Sequence, residues 1–536
     1  MFIDEIFSKK NGKKYKTTLI RETFREKGKV LHRTIANISK LPDACINEIK
    51  RYFKTGPLQN IDYKDLQTFE SKEYGASWSL LSIIKDLGLD IMIFSKKVQW
   101  REDVLAMIIG RIIYPSSKLF LTHLYTDTVL WELCGHSYNT QPEVQKHCYV
   151  PMDLLLERQE TIQNKLAKKH LENGCVVLYD ITSTYFEGEY EDSDIVNYGY
   201  NRDRKRGFEQ VNIGLLTDKS GCPIAVEIFS GKTPDQVTVQ GQSKKISNKF
   251  HVKSVIFVGD RGMLTPKRVE EVNAEGFQTI TALTHKQMET LLEKKVISLN
   301  HFQIKYFTVA DPQNSKIRYI LCFNPKRKED EHQTRKDLIK KVEQELNKIP
   351  KKSSNQKISA AVGKIWKTYR IEKFFTWNVE NQTLTFSLKN DKIAEEEQLD
   401  GCYIIRTDVP EETLSSEEVV KTYKKLAHVE KAFRIIKTTV LEIRPIRHHL
   451  DNRIKSHIFL CMLAYYLQWQ ILNRLEPLFK TDGKGETRRY SFSLILERLK
   501  SLRSEKVRIG SVVIDGVKTR PDPEQTKILE LLKVTL

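Results

Sequence analysis

The chain has 536 residues, 40% of them hydrophobic, with 88 lysines and arginines against 69 aspartates and glutamates, a formal charge of +19. That length exceeds one ordinary core and calls for several domains, while the positive balance favours a polyanionic partner, nucleic acid ahead of an anionic membrane surface. The 8 cysteines contain no CxxC pair, which excludes a disulfide framework and a thiolate zinc site and fits a reducing cytoplasm.

The opening "MFIDEIFSKKNGKKYK" is too polar for a secretory signal, and its lysines follow the apolar residues instead of preceding them. Residues 1–70 mix β-like runs ("KTTLIRETF", "KVLHRTIANI") with a lysine cluster at 9–16, and are expected to form a small basic module. From 71 to 172 the apolar spacing becomes helical. "REDVLAMIIGRIIY" sets Val104, Met107, Ile108, Ile112 and Ile113 on one face, and "MDLLLERQETIQNKLAKKHL" ends in the basic residues a helix dipole favours. His147 and Cys148, with His136 upstream, lack metal-ligand spacing and read as structural.

Residues 173–284 turn to strands: "CVVLYD", then "EQVNIGLLTD" and "PIAVEIFSG" joined by the turn "DKSGCP". A helix ("DQVTVQGQSKKISNKF"), a strand ("SVIFVGD"), a helix from Pro266 to about Ala274 and the strand "FQTITAL" follow. Hairpin strands succeeded by alternating helix and strand predict a mixed α/β sheet flanked by helices. Residues 285–398 break the rhythm, with strand-like runs "FQIKYFTV", "IRYILCF", "RIEKFFTWNV" and "TLTFSLK" around a lysine-rich helix, and read as a β-rich insertion. Alternation resumes over 399–475 with "GCYIIRTD" and a long helix from near Ser415, where "SSEE" supplies a cap and an acidic first turn. "IFLCMLAYYLQWQIL" is broken by Gln468 and Gln470 and falls short of the roughly 20 residues that span a bilayer, so it is expected to be a buried helix. Residues 476–536 form a C-terminal region.

Two aspartates close apolar runs: Asp180 follows Val176 to Tyr179, and Asp260 follows Val255 to Val258. Glu430 lies seven residues after Tyr423 and seven before Lys437, close to two helical turns, which predicts one face for all three, with Arg434 a turn further on. Three hard oxygen ligands suit Mg2+, and a pair of such ions can activate a hydroxyl on one side of a phosphodiester and stabilise the leaving oxygen on the other. Arg261, Arg434 and Lys437 would then position the phosphate backbone. The cations Arg202, Arg204, Lys205 and Arg206 in "NRDRKRG" read as a DNA-facing loop, and His448 and His449 as structural or DNA-contacting. Taken singly the acids have plain structural readings, as turn caps for the aspartates and as an i,i+4 surface pair for Glu430 with Arg434.

In order along the chain, "YDITSTYFEG", "GYNRDRKRGFEQVNIGLLTDKSGCPIAVEIFSGKTPDQ", "VGDRGM" and "YKKLAHVEKAFRIIKTTVLEIRPIRHH" resemble the DDE transposases of bacterial insertion sequences, in the insertion-sequence-four-like group. The resemblance covers about 170 to 475. It implies an RNase H-like catalytic core in two parts, 173–284 and 399–475, interrupted by the insertion and preceded by a mainly helical DNA-binding region. It also implies that Asp180, Asp260 and Glu430 are the catalytic and metal-binding residues, that the cofactor is Mg2+ (Mn2+ substituting) as two ions, and that Tyr423 and Lys437 contact DNA. The implied partners are double-stranded DNA, from the element's inverted repeats and the target, and a second copy of the chain in the DNA complex, with no membrane and a cytoplasmic, nucleoid-associated location. The implied reaction frees a 3′ hydroxyl at the element's end and joins it to target DNA. Leu426 stands where the group's pattern has arginine. An RNase H-like nuclease without strand transfer, and a transposase-derived DNA-binding protein, remain open alternatives on the residues alone.

Overall fold

A computed structural model describes the whole chain except residues 11–12, 27, 56–65, 204, 206, 351–352, 440, 480–489 and 510–511. It divides into two units, Met1–Tyr74 with Lys500–Asp522, and Gly75–Leu499 with Pro523–Leu536. The first unit opens with an antiparallel sheet of β1 (Phe2–Lys10), β2 (Lys13–Glu26) and β3 (Lys29–Asn37), followed by the helix Asp43–Thr55. Its surface strands carry opposite charges across the ladder: Arg21 donates to Asp4 and Arg33 to Glu22, each at 2.7 Å, and Lys50 ties the helix to Glu5 at 2.6 Å. β4 (Leu66–Glu73) belongs to a second small sheet.

In the second unit the helix Gln99–Ile113 is buried from Arg101 through Ile113, on every side and not on the single face the spacing predicts. "VLAMIIGRII" is apolar all round, and such a helix sits inside a protein. It packs on the long helix Asp451–Arg474, which is buried almost continuously from Ile454 to Gln468 and contains the apolar stretch expected to be a core helix. Among the described residues no single helix is long and apolar enough to cross a membrane.

The central sheet uses β5 (Cys175–Tyr185), β6 (Gln210–Asp218), β7 (Pro223–Ser230), β8 (Val255–Gly259), β9 (Gln278–Ala282), β10 (Phe307–Ala310) and β11 (Arg318–Phe323). β12 (Phe375–Glu380) and β13 (Thr383–Leu388) form a separate hairpin, and β14 (Cys402–Thr407) completes the sheet in the order β10-β11-β14-β9-β8-β5-β6-β7. β5, β6 and β7 run as an antiparallel meander, and β8 and β9 lie parallel to β5. That is the mixed α/β sheet expected from the strand pattern. Tyr179, Phe257, Val269 and Val272 fill the core on one side of it.

Of the four strand-like runs read between 285 and 398, two therefore extend the central sheet and two pair with each other. The division follows from patterning. β11 is "RYILCF", a nearly continuous apolar run suited to a strand covered on both faces. β12 and β13 alternate in exposure, and their apolar faces close a separate small core with Val342, Leu346, Ile358, Val362 and Trp366 of the helices Pro325–Asn347 and Asn355–Tyr369. Near the C-terminus β15 (Arg503–Ile509) and β16 (Val512–Lys518) join β4 in the order β16-β15-β4, within the first unit.

Candidate active site

β5 and β8 are neighbouring parallel strands in which Tyr179 is the partner of Gly259. The next residue on each strand is an aspartate, so Asp180 and Asp260 stand side by side, one strand spacing of about 4.8 Å apart in backbone terms. Parity sets the direction. Val177, Tyr179 and Ile181 face the core cluster, so Asp180 points to the opposite face. The helix Leu426–Arg434 packs against β5 and presents Glu430 there. In the turn after β8 the amides of Met263 and Leu264 both donate to the Asp260 carbonyl at 3.0 Å, leaving its carboxylate exposed, and the Tyr423 hydroxyl reaches that carboxylate at 3.4 Å.

The three acids line one cleft of about 340 Å³, together with Tyr423, Lys424, Leu426, Asn324, Arg327 and Tyr403. Asp180 lies deepest. Burial pushes its carboxyl up to about 7, and the negative charges of Asp260 and Glu430 push the same way, against the Ile181 amide that donates to it at 2.7 Å and the Arg202 charge. Burial and Asp260 likewise raise the Tyr423 phenol, with Arg261 opposing.

Of the three residues expected on one face, Tyr423 and Glu430 both line the cleft, whereas Lys437 does not. Ser415 caps the helix with Glu418 as the sequence predicts, but the helix Ser416–Lys424 ends at Lys425, and the next one, Leu426–Arg434, passes into a π-helical turn at Ile435–Thr439. The wider turn shifts Lys437 out of register. Lys437 is buried and bonds Asp203 at 2.7 Å, and Arg444 reaches the same carboxylate at 3.3 Å. Arg434 and Arg261 are exposed beside Glu430 and Asp260. His448 is buried against Tyr149 and His457, and burial with the Lys118 charge lowers its ring to about 3; His449 stacks on Tyr190.

In the basic loop, Arg202 pairs with Asp235 and its amide donates to Ser183 at 3.0 Å, and Lys205 is exposed; Arg204 and Arg206 lie outside the described residues. Buried polar side chains hold the root of this loop. Gln210 donates to the carbonyls of Tyr200 and Gly231 at 3.1 and 3.0 Å, and Asn212 to Thr233 at 2.9 Å. Gly231 is wedged between β6 and the segment at Asn197, and a Cβ there would lie 2.1 Å from the Gln210 carbonyl oxygen and 2.3 Å from that of Asn197. Since backbone walls it on both sides, Gly231→Ala is expected to cost about 1–3 kcal/mol, read as a lowered Tm. An unchanged Tm would mean that the root of the loop yields freely.

Arg327, Asn324 and Tyr403 were not marked by the sequence reading. β11 runs parallel to β8 because β9 and β8 are parallel while β14 pairs antiparallel with both β9 and β11. Its C-terminal end therefore opens on the same sheet edge as Asp260, and the helix that starts at Pro325, capped by Asn324 bonding to the Lys326 and Arg327 amides, brings Arg327 into the cleft. The local signal was the apolar run ending in "FNP", a strand followed by a helix cap.

Residues 173–467 match the family described as transposase DDE domain, and residues 3–57 match the IS1634 family transposase N-terminal domain. No curated protein matches the chain by sequence. Among solved structures, a cryo-EM structure of a piggyBac transposase synaptic complex with hairpin DNA is similar at 8% identity and a TM-score of 0.35, over 79% of this chain and 75% of that one. With the DDE domain spanning more than half of its length and an insertion-sequence N-terminal domain ahead of it, the chain belongs to the DDE transposases of bacterial insertion sequences.

Proposed function

We propose that this transposase nicks DNA at the ends of its element and joins the freed 3′ hydroxyl to target DNA, with Asp180, Asp260 and Glu430 as the ligands of Mg2+, or of Mn2+ in its place. The observation that carries the reading is the convergence of three carboxylates in one cleft, where burial, with the charges of Asp260 and Glu430 added to it, raises the proton affinity of Asp180. Acids that repel one another in this way are reconciled by a divalent cation. The donors are all oxygen, and Asp260 and Glu430 are exposed, which leaves coordination positions for water and phosphate oxygens as Mg2+ requires. Two bound ions would supply the charge that activates the attacking oxygen and stabilises the leaving one.

The chain's own residues do the rest. Tyr423 steadies the Asp260 carboxylate through its hydroxyl. Arg327 and Lys424, the cations of the cleft wall, hold backbone phosphates on either side of the scissile bond. Residues 1–172, basic at their start, read the inverted repeats, and a dimer brings two ends together. Arg327→Ala is expected to weaken binding of end DNA evenly across sequences and to reduce the slope of log affinity against log salt by about one; an unchanged slope would remove Arg327 from the phosphate contacts.

The function is tested with labelled DNA carrying the element's ends, incubated with the full chain and Mg2+ or Mn2+. Metal-dependent nicks at the ends together with joined products support the proposal. Nicks without joining would leave a nuclease, and bound but intact DNA a binding protein.

A further inference from the structure

We infer that Asp103, His136 and His147 form a second metal site, for a zinc-class ion, within the helical region and separate from the acid cleft. Asp103 stands on the helix Gln99–Ile113 with 1% of its surface exposed. One carboxylate oxygen is 2.6 Å from His136 Nε2 and the other 3.1 Å from His147 Nδ1, and the two rings meet edge to face at 4.6 Å. The three donor atoms all lie within 4.8 Å of one another.

Charge is the first reason. A carboxylate this deeply buried needs a positive partner. The adjoining Arg101 is held by Glu102 at 2.6 Å and by Asp90 at 3.8 Å, and Gln99, which donates to Asp103 at 2.9 Å, is neutral. What remains at the carboxylate is two imidazoles aimed at it together. A divalent ion between the three donors neutralises the carboxylate and uses a lone pair from each ring.

Geometry is the second. Tetrahedral donors each about 2.0–2.1 Å from zinc stand about 3.3 Å apart. The 3.1 Å separation is close to that, and the 2.6 Å contact, made to the other carboxylate oxygen, would open by about 0.7 Å as an ion took the place of the hydrogen bond. His147 is carried on a π-helical turn, Gln145–Tyr149, a form of backbone that recurs at functional sites. Its side chain keeps 16% exposure, which gives an ion a way in and leaves room for water as the fourth ligand.

Donor chemistry then separates the two sites. Two nitrogens and an oxygen suit zinc and its neighbours in the first transition row, while the all-oxygen cleft suits Mg2+. Asp103 lies 33 residues before His136 and 44 before His147, so a bound ion would clamp the buried helix to two later segments of the same region.

The test uses the full chain, stripped with chelator and then equilibrated with micromolar Zn2+ in excess Mg2+, with metal content measured by mass spectrometry. The site predicts about one tightly held zinc per chain, retained when Asp180, Asp260 and Glu430 are all replaced by alanine and lost in His136→Ala and in Asp103→Asn. It also predicts a zinc-dependent rise in Tm for the unsubstituted chain, and visible absorption bands from Co2+ that the milder His147→Gln lacks, so the outcome does not depend on every variant folding. Zinc absent from the unsubstituted chain, or held equally by the His136 and His147 variants, would overturn it.

Discussion

Asp260→Asn abolishes metal-dependent nicking at the element's end, a loss on the order of 10⁴-fold or more, while end DNA still binds. Asparagine has the same shape and still offers an oxygen to the Tyr423 hydroxyl, now at 3.4 Å from the aspartate. It cannot supply the negative charge that a hard divalent ion requires. Folding is not the reason for the loss, because the side chain is exposed and the turn after β8 is closed by backbone bonds to the Asp260 carbonyl. A substitution at such a place normally changes stability by no more than about 0.5 kcal/mol. Nicking at the unsubstituted rate, measured on labelled end DNA, would return Asp260 to the role of a turn residue.

Asp180→Asn has the second large effect, and it runs in the opposite sense for stability. In the folded chain Asp180 titrates near 7, against 3.8 for an ordinary aspartate, so folding favours its protonated form. The stability this gives is present in full below about pH 4 and drains away as pH rises to about 7, above which the folded protein carries the whole cost of a buried, repelled carboxylate. About three pKa units correspond to a cost on the order of 4 kcal/mol, an upper figure because the cleft is open to water. Without divalent metal the asparagine variant is therefore expected to melt several degrees higher at pH 8, with the gap closing towards pH 4. Millimolar Mg2+ or Mn2+ should narrow the gap, since the ion takes over the neutralising role that asparagine plays. A Tm difference that ignores both pH and metal would show that neither burial nor the other two acids holds the proton on Asp180.

The aspartates were legible because strand ends announce themselves. Each follows a short apolar run, and the register that places Tyr179 beside Gly259 then makes Asp180 and Asp260 neighbours. Glu430 was legible as a position on a helix, but its place on the Asp180 side of the sheet depends on how that helix packs on β5, which no local pattern states. Lys437 shows the limit of periodicity. A break at Lys425 and a π-helical turn at Ile435–Thr439 interrupt the helix without any glycine or proline to mark them.

Long-range pairing hid the rest. Arg327 enters the cleft only because β11 sits two strands beyond β9 and points the same way, a fact of sheet topology. The strand Leu66–Glu73 completes its sheet with Arg503–Ile509, where Arg503 bonds Ser71 at 3.0 Å across a separation of 432 residues. Asp103 carried no signal because the apolar spacing around it marked the helix and not the acid. Only the folded chain brings it to His136 and His147.

The decisive measurement is anomalous diffraction from crystals of the full chain grown with end DNA and Mn2+. The proposed site requires manganese density coordinated by carboxylate oxygens of Asp180, Asp260 and Glu430, with a phosphate oxygen of the element's end completing the shell. Manganese held elsewhere, with the end of the DNA lying outside the cleft, would contradict it.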